Sequence, residues 1–529
     1  MERRAAMSAG TGASADAGAA NIGDGAVREK RAKGPRVLVI GGGAAGLTAA
    51  VCAARAGADV VLAERMDRVG KKLLATGGGR CNLSNSSIEL QNYHGAGAGP
   101  AFSILERGYG FSFTRGFFLS LGVPTALEDE TRLYPRTFLA STVLDALRAE
   151  LARLGVSELC GREALSVTRR GDRFAVRFRG GAMIAADRVV VATGGKASPV
   201  FGSNGGGYAL FLPFGHRLAE PAPALTQLRL APQGIRGLKG VRLRAGIALL
   251  PTPPPGAPRT QNVSGATRAS GPAKATETLG ASGASGPAEL YRENGELLFT
   301  DYGVSGIPAL NLSLRLAPYG VEAESGSGGK SGTGGVYSGG NPATGSDGHA
   351  SGSGVGGGHA SGGGRVMGVA SVDLFPEYTN RELAQLLSEQ ATARPGAPLA
   401  EILGGFLHKR VAALILAKVS CPLPRTPQSQ PSLAEPNGAV GSDAVLRRLA
   451  AILKDWRHEI TGTMGFDSAQ VTYGGLLFED FDTATLESKK APGLYAAGEI
   501  LDVAGDCGGY NLQWAWASGH LAGSSAAAV

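Results

Sequence analysis

Several absences narrow the reading of this chain before any motif does. Its 529 residues hold five cysteines, Cys52, Cys81, Cys160, Cys421 and Cys507, odd in number, widely scattered and without a C-x-x-C pair. That excludes a disulfide framework and a closely spaced dithiol centre, and it fits a chain working in a reducing cytoplasm. No apolar run approaches the roughly 20 residues that cross a bilayer, so no membrane association is expected. Aromatic residues make up 6% of the chain and the formal net charge is +8. With no Lys/Arg stripe interleaved with aromatics, a nucleic-acid partner is not expected. The sequence also lacks a Ser/His/Asp triad, a metal-ligand cluster and a paired carboxylate, so no metal is expected and no catalytic residue is assigned.

Glycine and proline, by contrast, are abundant, at 83 and 28 residues, too many for a uniformly packed protein of this length. Much of the excess falls in four stretches. Residues 1–34 are basic at both ends but have a Gly/Ala/Ser middle and no apolar core segment, which reads as a disordered extension, not a signal peptide. Residues 251–287 are rich in Pro, Gly, Ala, Ser and Thr, residues 322–364 are almost wholly Gly and Ser, and residues 422–441 are polar and Pro-rich. Such compositions bury too little apolar surface to offset the entropy of ordering, so these are expected to be enlarged surface loops within a continuing fold. His349 and His359 lie in one of them and read as solvated linker residues, not metal ligands.

The patterned segments begin with an apolar strand, Val37 to Ile40, which runs into a glycine turn and an Ala/Leu-rich helix. Gly41, Gly43 and Gly46 match G-x-G-x-x-G: the first allows a tight turn, the second close approach of a pyrophosphate, the third close packing of helix on strand. At Ala44 and Ala45 the helix start offers free N–H groups and a partial positive charge to a phosphate. A second strand, residues 59–63, ends at Glu64, about 20 residues beyond the glycines, where a carboxylate accepts ribose hydroxyls and disfavours a 2′-phosphate. This strand–turn–helix–strand–acid series points to a dinucleotide.

Further along, residues 101–121 and 142–154 read as helical, residues 164–178 as a β pair, and residues 188–195 as a strand ending in Ala192-Thr193-Gly194-Gly195, whose small side chains let a sheet come close to a bound dinucleotide. Residues 221–376 alternate in the β manner, at 226–230, 296–299 and 366–374. Residues 377–460 read as helices with apolar stripes at Leu383, Leu386 and Leu387 and at Leu446, Leu449, Ile452 and Leu453. Residues 469–475 and 493–523 return to the style of the opening segment, giving an expected division into 35–220 and 461–529 for a dinucleotide domain, with 221–376 and 377–460 between.

Four long strings carry a resemblance to a known family: Gly70-Lys-Lys-Leu-Leu-Ala-Thr-Gly-Gly-Gly-Arg-Cys-Asn-Leu-Ser-Asn85, Gly295-Glu-Leu-Leu-Phe-Thr300 with Val304-Ser-Gly306, Val471-Thr-Tyr-Gly-Gly475, and Ala497-Gly-Glu-Ile-Leu-Asp-Val-Ala-Gly-Asp-Cys-Gly-Gly-Tyr-Asn-Leu-Gln-Trp-Ala515. In these the chain resembles the BaiN/RdsA-type (YhiN-type) NAD(P)/FAD-dependent oxidoreductases over nearly all of residues 36–523. It departs from the family in its terminal extension, in the three inserts, and at Asp301-Tyr302, where a His or similar residue is expected before the glycine. The resemblance implies an α/β protein, with a Rossmann-like FAD-binding domain of the ββα type, an inserted β-barrel-like domain and a small helical subdomain. It also implies non-covalent FAD, a transient NAD(P)H donor and a small-molecule acceptor of the conjugated C=C, enone-like kind.

Lys71, Lys72 and the loop Gly79-Arg80-Cys81-Asn82 follow Glu64 closely enough to reach back over the cofactor. Arg80 would offer donors to pyrophosphate or ribityl oxygens and Asn82 an amide, whereas each lysine reads equally well as a solvated charge. From the far end, Gly498, Glu499 and Asp502 would join the site, Asp502 accepting a ribityl hydroxyl. Gly508, Gly509 and Asn511 would open a helix whose N-terminus stabilises negative charge on the flavin pyrimidine edge. Cys81 and Cys507 are too far apart in sequence for a redox pair and read as small residues beside the cofactor; Tyr510 and His520 read as structural. The glycine-rich loop Gly202 to Gly207 lacks a following acid-tipped strand and does not form a second nucleotide site. A second function class stays open, a flavin-containing binding or sensing module for RNA or a protein partner, without NAD(P)H turnover.

Overall fold

The structure, a computed structural model, describes residues 34–251, 289–319, 367–419 and 443–528. The stretches read above as low-complexity, with His349, His359 and Cys421, lie outside the described residues, apart from their outermost positions.

The opening strand Arg36–Ile40 is the centre of a five-stranded parallel sheet. Its neighbours are Asp59–Ala63 on one side, followed by Ser157–Leu159, and Arg188–Val191 on the other, followed by Leu494–Ala496. Val37, Leu38 and Val39 are fully buried, as expected of a strand covered on both faces. The helix Ala44–Arg55 crosses between the first two strands, and the C-terminal helix Tyr510–Ala527 lies across it. Glycines permit that crossing: a Cβ on Gly519 would stand 2.4 Å from the Ala45 carbonyl oxygen, and one on Gly523 2.3 Å from that of Ala49. The opening helix and the last helix therefore meet backbone to backbone.

A short antiparallel ribbon, Leu218–Ala224 paired with Val471–Leu476, leads out of this layer and back. Beyond it six strands close a barrel in the order Leu228–Leu230, Gly303–Ser305, Tyr291–Phe299, Arg242–Leu250, Gly368–Asp373 and Trp456–Thr463. Helices Asn380–Ala393, Leu399–Gly404, Lys409–Val419 and Asp443–Lys454 pack on it and share its core, with Leu383, Leu387, Leu446, Leu449 and Leu453 buried. The expected fold class, a Rossmann-like FAD-binding layer with an inserted barrel and helices, is the one observed.

Local expectations fail at several points. The helical reading of 101–121 breaks into Ala98–Ile104, a wide turn and Phe111–Ser120, because Gly108 adopts φ +115°, a conformation open to glycine and closed to a helix. The strand expected over 188–195 stops at Val191, and residues 192–195 form a loop. The β-reading of 221–376 missed the buried helix Ile307–Leu316, which starts behind Gly306 at φ +105° with Pro308 in its first turn. The helical reading of 377–460 ran too far. Trp456, His458 and Ile460 alternate inward on a barrel strand, a period of two inside a stretch read as 3.6.

Candidate functional site

The glycine turn behaves as its spacing requires. Gly41 sits at φ +106°, and a Cβ there would stand 2.5 Å from the Ala192 carbonyl oxygen; at Gly46 it would stand 1.8 Å from that of Gly41. At Gly43 an added Cβ meets nothing within 4 Å and points into a cavity of about 590 Å³. No side chain caps the helix that starts at Ala44, so its first N–H groups stay available on the cavity wall. Glu64 closes this end: Oε2 accepts the Gly42 N–H at 2.7 Å and Oε1 the Met66 N–H at 2.7 Å. Each carboxylate oxygen keeps a lone pair for a ribose hydroxyl.

The same cavity runs to the loop Thr76–Gly79 and the turn before the C-terminal helix. Lys72 bridges to Glu499 at 2.9 Å, and Glu499 accepts the Thr472 N–H at 2.9 Å, tying the front segment to the rear one. Lys71 pairs with the exposed Asp67. Arg80 pairs with Glu128 at 2.7 Å and lies over the Tyr134 ring at 4.8 Å. Asn82 is buried beside the cavity, and its Oδ1 has no hydrogen-bond partner among the described residues. An orphaned buried acceptor on a cavity wall is costly unless something fills the cavity and donates to it.

Of the residues singled out from the sequence, Gly41, Gly43, Ala44, Ala45, Glu64, Lys71, Lys72, Arg80, Asn82, Thr193, Gly194, Gly498, Glu499, Gly508, Gly509 and Asn511 line this one cavity. Gly46, Gly79, Cys81, Gly195 and Asp502 do not. Gly46 keeps the packing role expected of it. A Cβ on Gly195 would stand 2.2 Å from Thr472 Oγ1, so this glycine serves the close approach of that strand. Cys81, at φ +60°, turns into the core, where burial pushes its thiol up to about 12. Asp502 braces the backbone: its carboxylate accepts the Ala96 N–H at 2.8 Å and the Gly474 N–H at 3.0 Å, while burial raises it above the usual carboxylate range.

Sequence reasoning missed one wall altogether. Leu225, Ile307, Leu310 and Val471 face the cavity from the ribbon and the barrel-side helix, and Arg132 and Tyr134 from the hairpin Thr125–Glu128 and Arg132–Pro135. Of these only Val471 falls in one of the strings that carry the resemblance, and only the folding of the inserted segment against the sheet brings them all there. Cys507, expected beside the cofactor, lines the cavity, and burial lifts its thiol to about 12. Among the described residues no group of His, Cys, Asp and Glu could hold a metal, and no helix is long and apolar enough to cross a membrane.

The open Cβ direction at Gly43, the uncapped helix start, Glu64 and the orphaned Asn82 oxygen together fit a dinucleotide that spans from the opening strand to the last helix. The family model described as the HI0933-like protein Rossmann domain matches residues 35–525. A 3-dehydro-bile acid delta(4,6)-reductase of Clostridium scindens is 34% identical over 496 residues, covering 93% of this chain and 99% of that protein. A ribosomal RNA dihydrouridine synthase of Escherichia coli is 27% identical, covering 91% and 95%, and one of Haemophilus influenzae is 25% identical, covering 91% and 96%. With the fingerprint, the cavity and this full-length match in hand, the chain belongs to the HI0933-like family of flavin-dependent oxidoreductases.

Proposed function

We propose that the protein binds FAD non-covalently in this cavity, accepts a hydride from NAD(P)H, and saturates a conjugated C=C of a small-molecule acceptor. The observation that carries the reading is the continuity of one cavity between two unlike walls. One wall holds the glycine turn, Glu64, Asn82 and the turn at Gly508. The other is mainly apolar, with Leu225, Ile307, Leu310 and Val471, and carries the donors of Arg132 and Tyr134 at its edge. Bound FAD would supply hydride chemistry.

In this reading Gly43, Ala44 and Ala45 cradle the pyrophosphate, Glu64 takes the ribose, and Asn82 meets the cofactor's polar edge. The apolar wall excludes water and holds a flat substrate. Among the described residues no second strand–glycine–helix–acid unit holds a nicotinamide, so donor and acceptor would take turns at one place. The relatives' names support the acceptor class, since a Δ4,6 bond of a 3-oxo steroid and the double bond lost in forming dihydrouridine both lie in conjugation with a carbonyl. The two dihydrouridine synthase names favour a second reading, a uridine of RNA as acceptor. We place the chain in a reducing cytoplasm, in keeping with the free Cys52, Cys81, Cys160 and Cys507.

Anaerobic stopped-flow mixing with NADH or NADPH tests the donor. The flavin absorbance should bleach with one of them and return on adding a 3-oxo-Δ4 steroid acid, with ping-pong kinetics in the steady state. Return of colour with ribosomal RNA transcript and not with the steroid would favour the RNA reading. If neither nicotinamide bleaches the flavin, the NAD(P)H-dependent reductase is wrong and the binding or sensing module takes its place.

A further inference from the structure

The turn Gly505–Gly509, which brings Asp506, Cys507, Gly508 and Gly509 to the cavity, is held from two directions. On the sheet side the Asp506 N–H donates to the Asn92 carbonyl at 2.9 Å, Asn85 Nδ2 donates to the Gly508 carbonyl at 3.0 Å, and His94 Nε2 lies 3.1 Å from Asp506 Oδ1. The other hold comes from the inserted part, through the helix Ile307–Leu316. Arg315 grips Asp506 with both terminal nitrogens, Nη2 to Oδ2 at 3.0 Å, and donates from Nη1 to the Asn311 carbonyl at 3.2 Å. Asn311 Oδ1 accepts the Cys507 N–H at 2.8 Å, while its Nδ2 donates to both oxygens of Glu293 at 3.1 and 2.8 Å. Behind them, Arg315 stacks on Tyr291 at 4.1 Å, and the Tyr291 hydroxyl is bonded to Glu293.

This network uses a barrel strand and a barrel-side helix to fix two consecutive residues of a turn in the other layer. Arg315 is a planar fork matched to one carboxylate, and Asn311 is oriented from both ends, so neither rotates freely. Burial alone would raise the Asp506 carboxyl, but the hydrogen bonds from His94 and Arg315 outweigh it and hold the group below its ordinary value. Directly after the turn the last helix begins with Gly509 as its N-cap at φ +100° and without a side-chain cap, so its free N–H groups face wherever the turn aims them.

We infer that Asn311 and Arg315 are positioning residues through which the inserted barrel aims the Asp506–Gly509 turn at the flavin, and so sets how readily the flavin accepts electrons. The inference rests on the flavin reading of the site, not on any particular acceptor. The adenine half of the cavity, built on Gly43 and Glu64, does not depend on this contact, so loosening the turn leaves FAD bound while weakening the field that favours its reduced, more negative state.

The test is a redox titration of the purified holoprotein against a reference dye, with no acceptor present, on Arg315→Gln and Asn311→Ala. Both should retain FAD and shift the oxidised-to-reduced equilibrium toward oxidised by about tenfold; Arg315→Lys should recover part of the loss. Asn311→Ala removes no charge and decides between aiming and simple electrostatics. A parental potential and visible spectrum in Asn311→Ala would overturn the inference, whatever Arg315→Gln shows. Failure of Arg315→Gln to fold would leave Asn311→Ala to decide. A parent protein without flavin would overturn the flavin reading and this inference together, whereas loss of the steroid or RNA acceptor would leave it standing.

Discussion

Gly43 and Gly46 lie three residues apart in one motif, yet they make opposite demands on a side chain. At Gly43, φ is −84° and the added Cβ finds open cavity; at Gly46 it would strike the Gly41 carbonyl at 1.8 Å. Gly43→Val should therefore fold and unfold like the parent but purify without flavin, because the branched side chain occupies the pyrophosphate's place. Gly46→Val should instead lose the helix–strand contact and precipitate or melt early. Flavin content by heat release and circular-dichroism melts separate the two; full flavin in folded Gly43→Val would mean the cofactor lies elsewhere. The placement of these glycines and Glu64 around one turn was legible in the sequence because it is local, fixed by that turn and by the two strands beside it. Cys81 and Asp502, expected at the cofactor, do not line the cavity, for the complementary reason. A string of residues does not say which alternate toward the cavity, and a left-handed backbone at Cys81 turns that side chain away while its neighbour Asn82 faces in.

At the scale of elements, long periodic segments were readable and short ones depended on context. In the helix Ile307–Leu316, Asn311, Ser313 and Arg315 alternate with Leu310, Leu312, Leu314 and Leu316, a period of two that imitates a strand, and it came out as part of a β region. The strand Trp456–Thr463 follows a strongly amphipathic helix with one residue between them, and its two-residue period was absorbed into the helical reading. That strand carries a titration consequence. His458 is 4% exposed inside the barrel, with neither ring nitrogen bonded among the described residues, and burial pushes its pKa down to about 3, with Lys418 adding to the effect. An unfolded chain binds a proton there near pH 6.5. Below that pH the unfolded state takes up a proton that the folded state refuses until about pH 3, so stability is lost as pH falls, by about 1.4 kcal/mol per unit. His458→Met removes this term. Urea unfolding of parent and variant at about pH 7.5 and 5 should show the parent losing about 2 kcal/mol more than the variant. Equal losses would show that His458 is protonated, or solvated, in the folded protein.

For the whole molecule, the distribution of hydrogen bonds says which parts the fold needs. All six barrel strands, the ribbon that joins the barrel to the sheet and both helices at the cavity lie within residues 34–251, 289–319, 367–419 and 443–528. The barrel closes strand to strand through Arg242–Leu250 paired with Tyr291–Phe299 on one edge and Gly368–Asp373 on the other. Neither pairing draws on the Gly/Ser-rich insert between positions 322 and 364, whose composition offers almost no apolar surface to bury. Removing residues 326–363 shortens one connection, and because closure entropy changes slowly with loop length the effect on stability should be about 1 kcal/mol. The shortened protein should keep its FAD content and its melting temperature within a few degrees of the parent, read by flavin release and calorimetry together. Loss of flavin, or a melt that splits in two, would mean that the insert contributes to the site or to the packing of barrel on sheet, and the division of this chain into a working fold and dispensable loops would have to be redrawn.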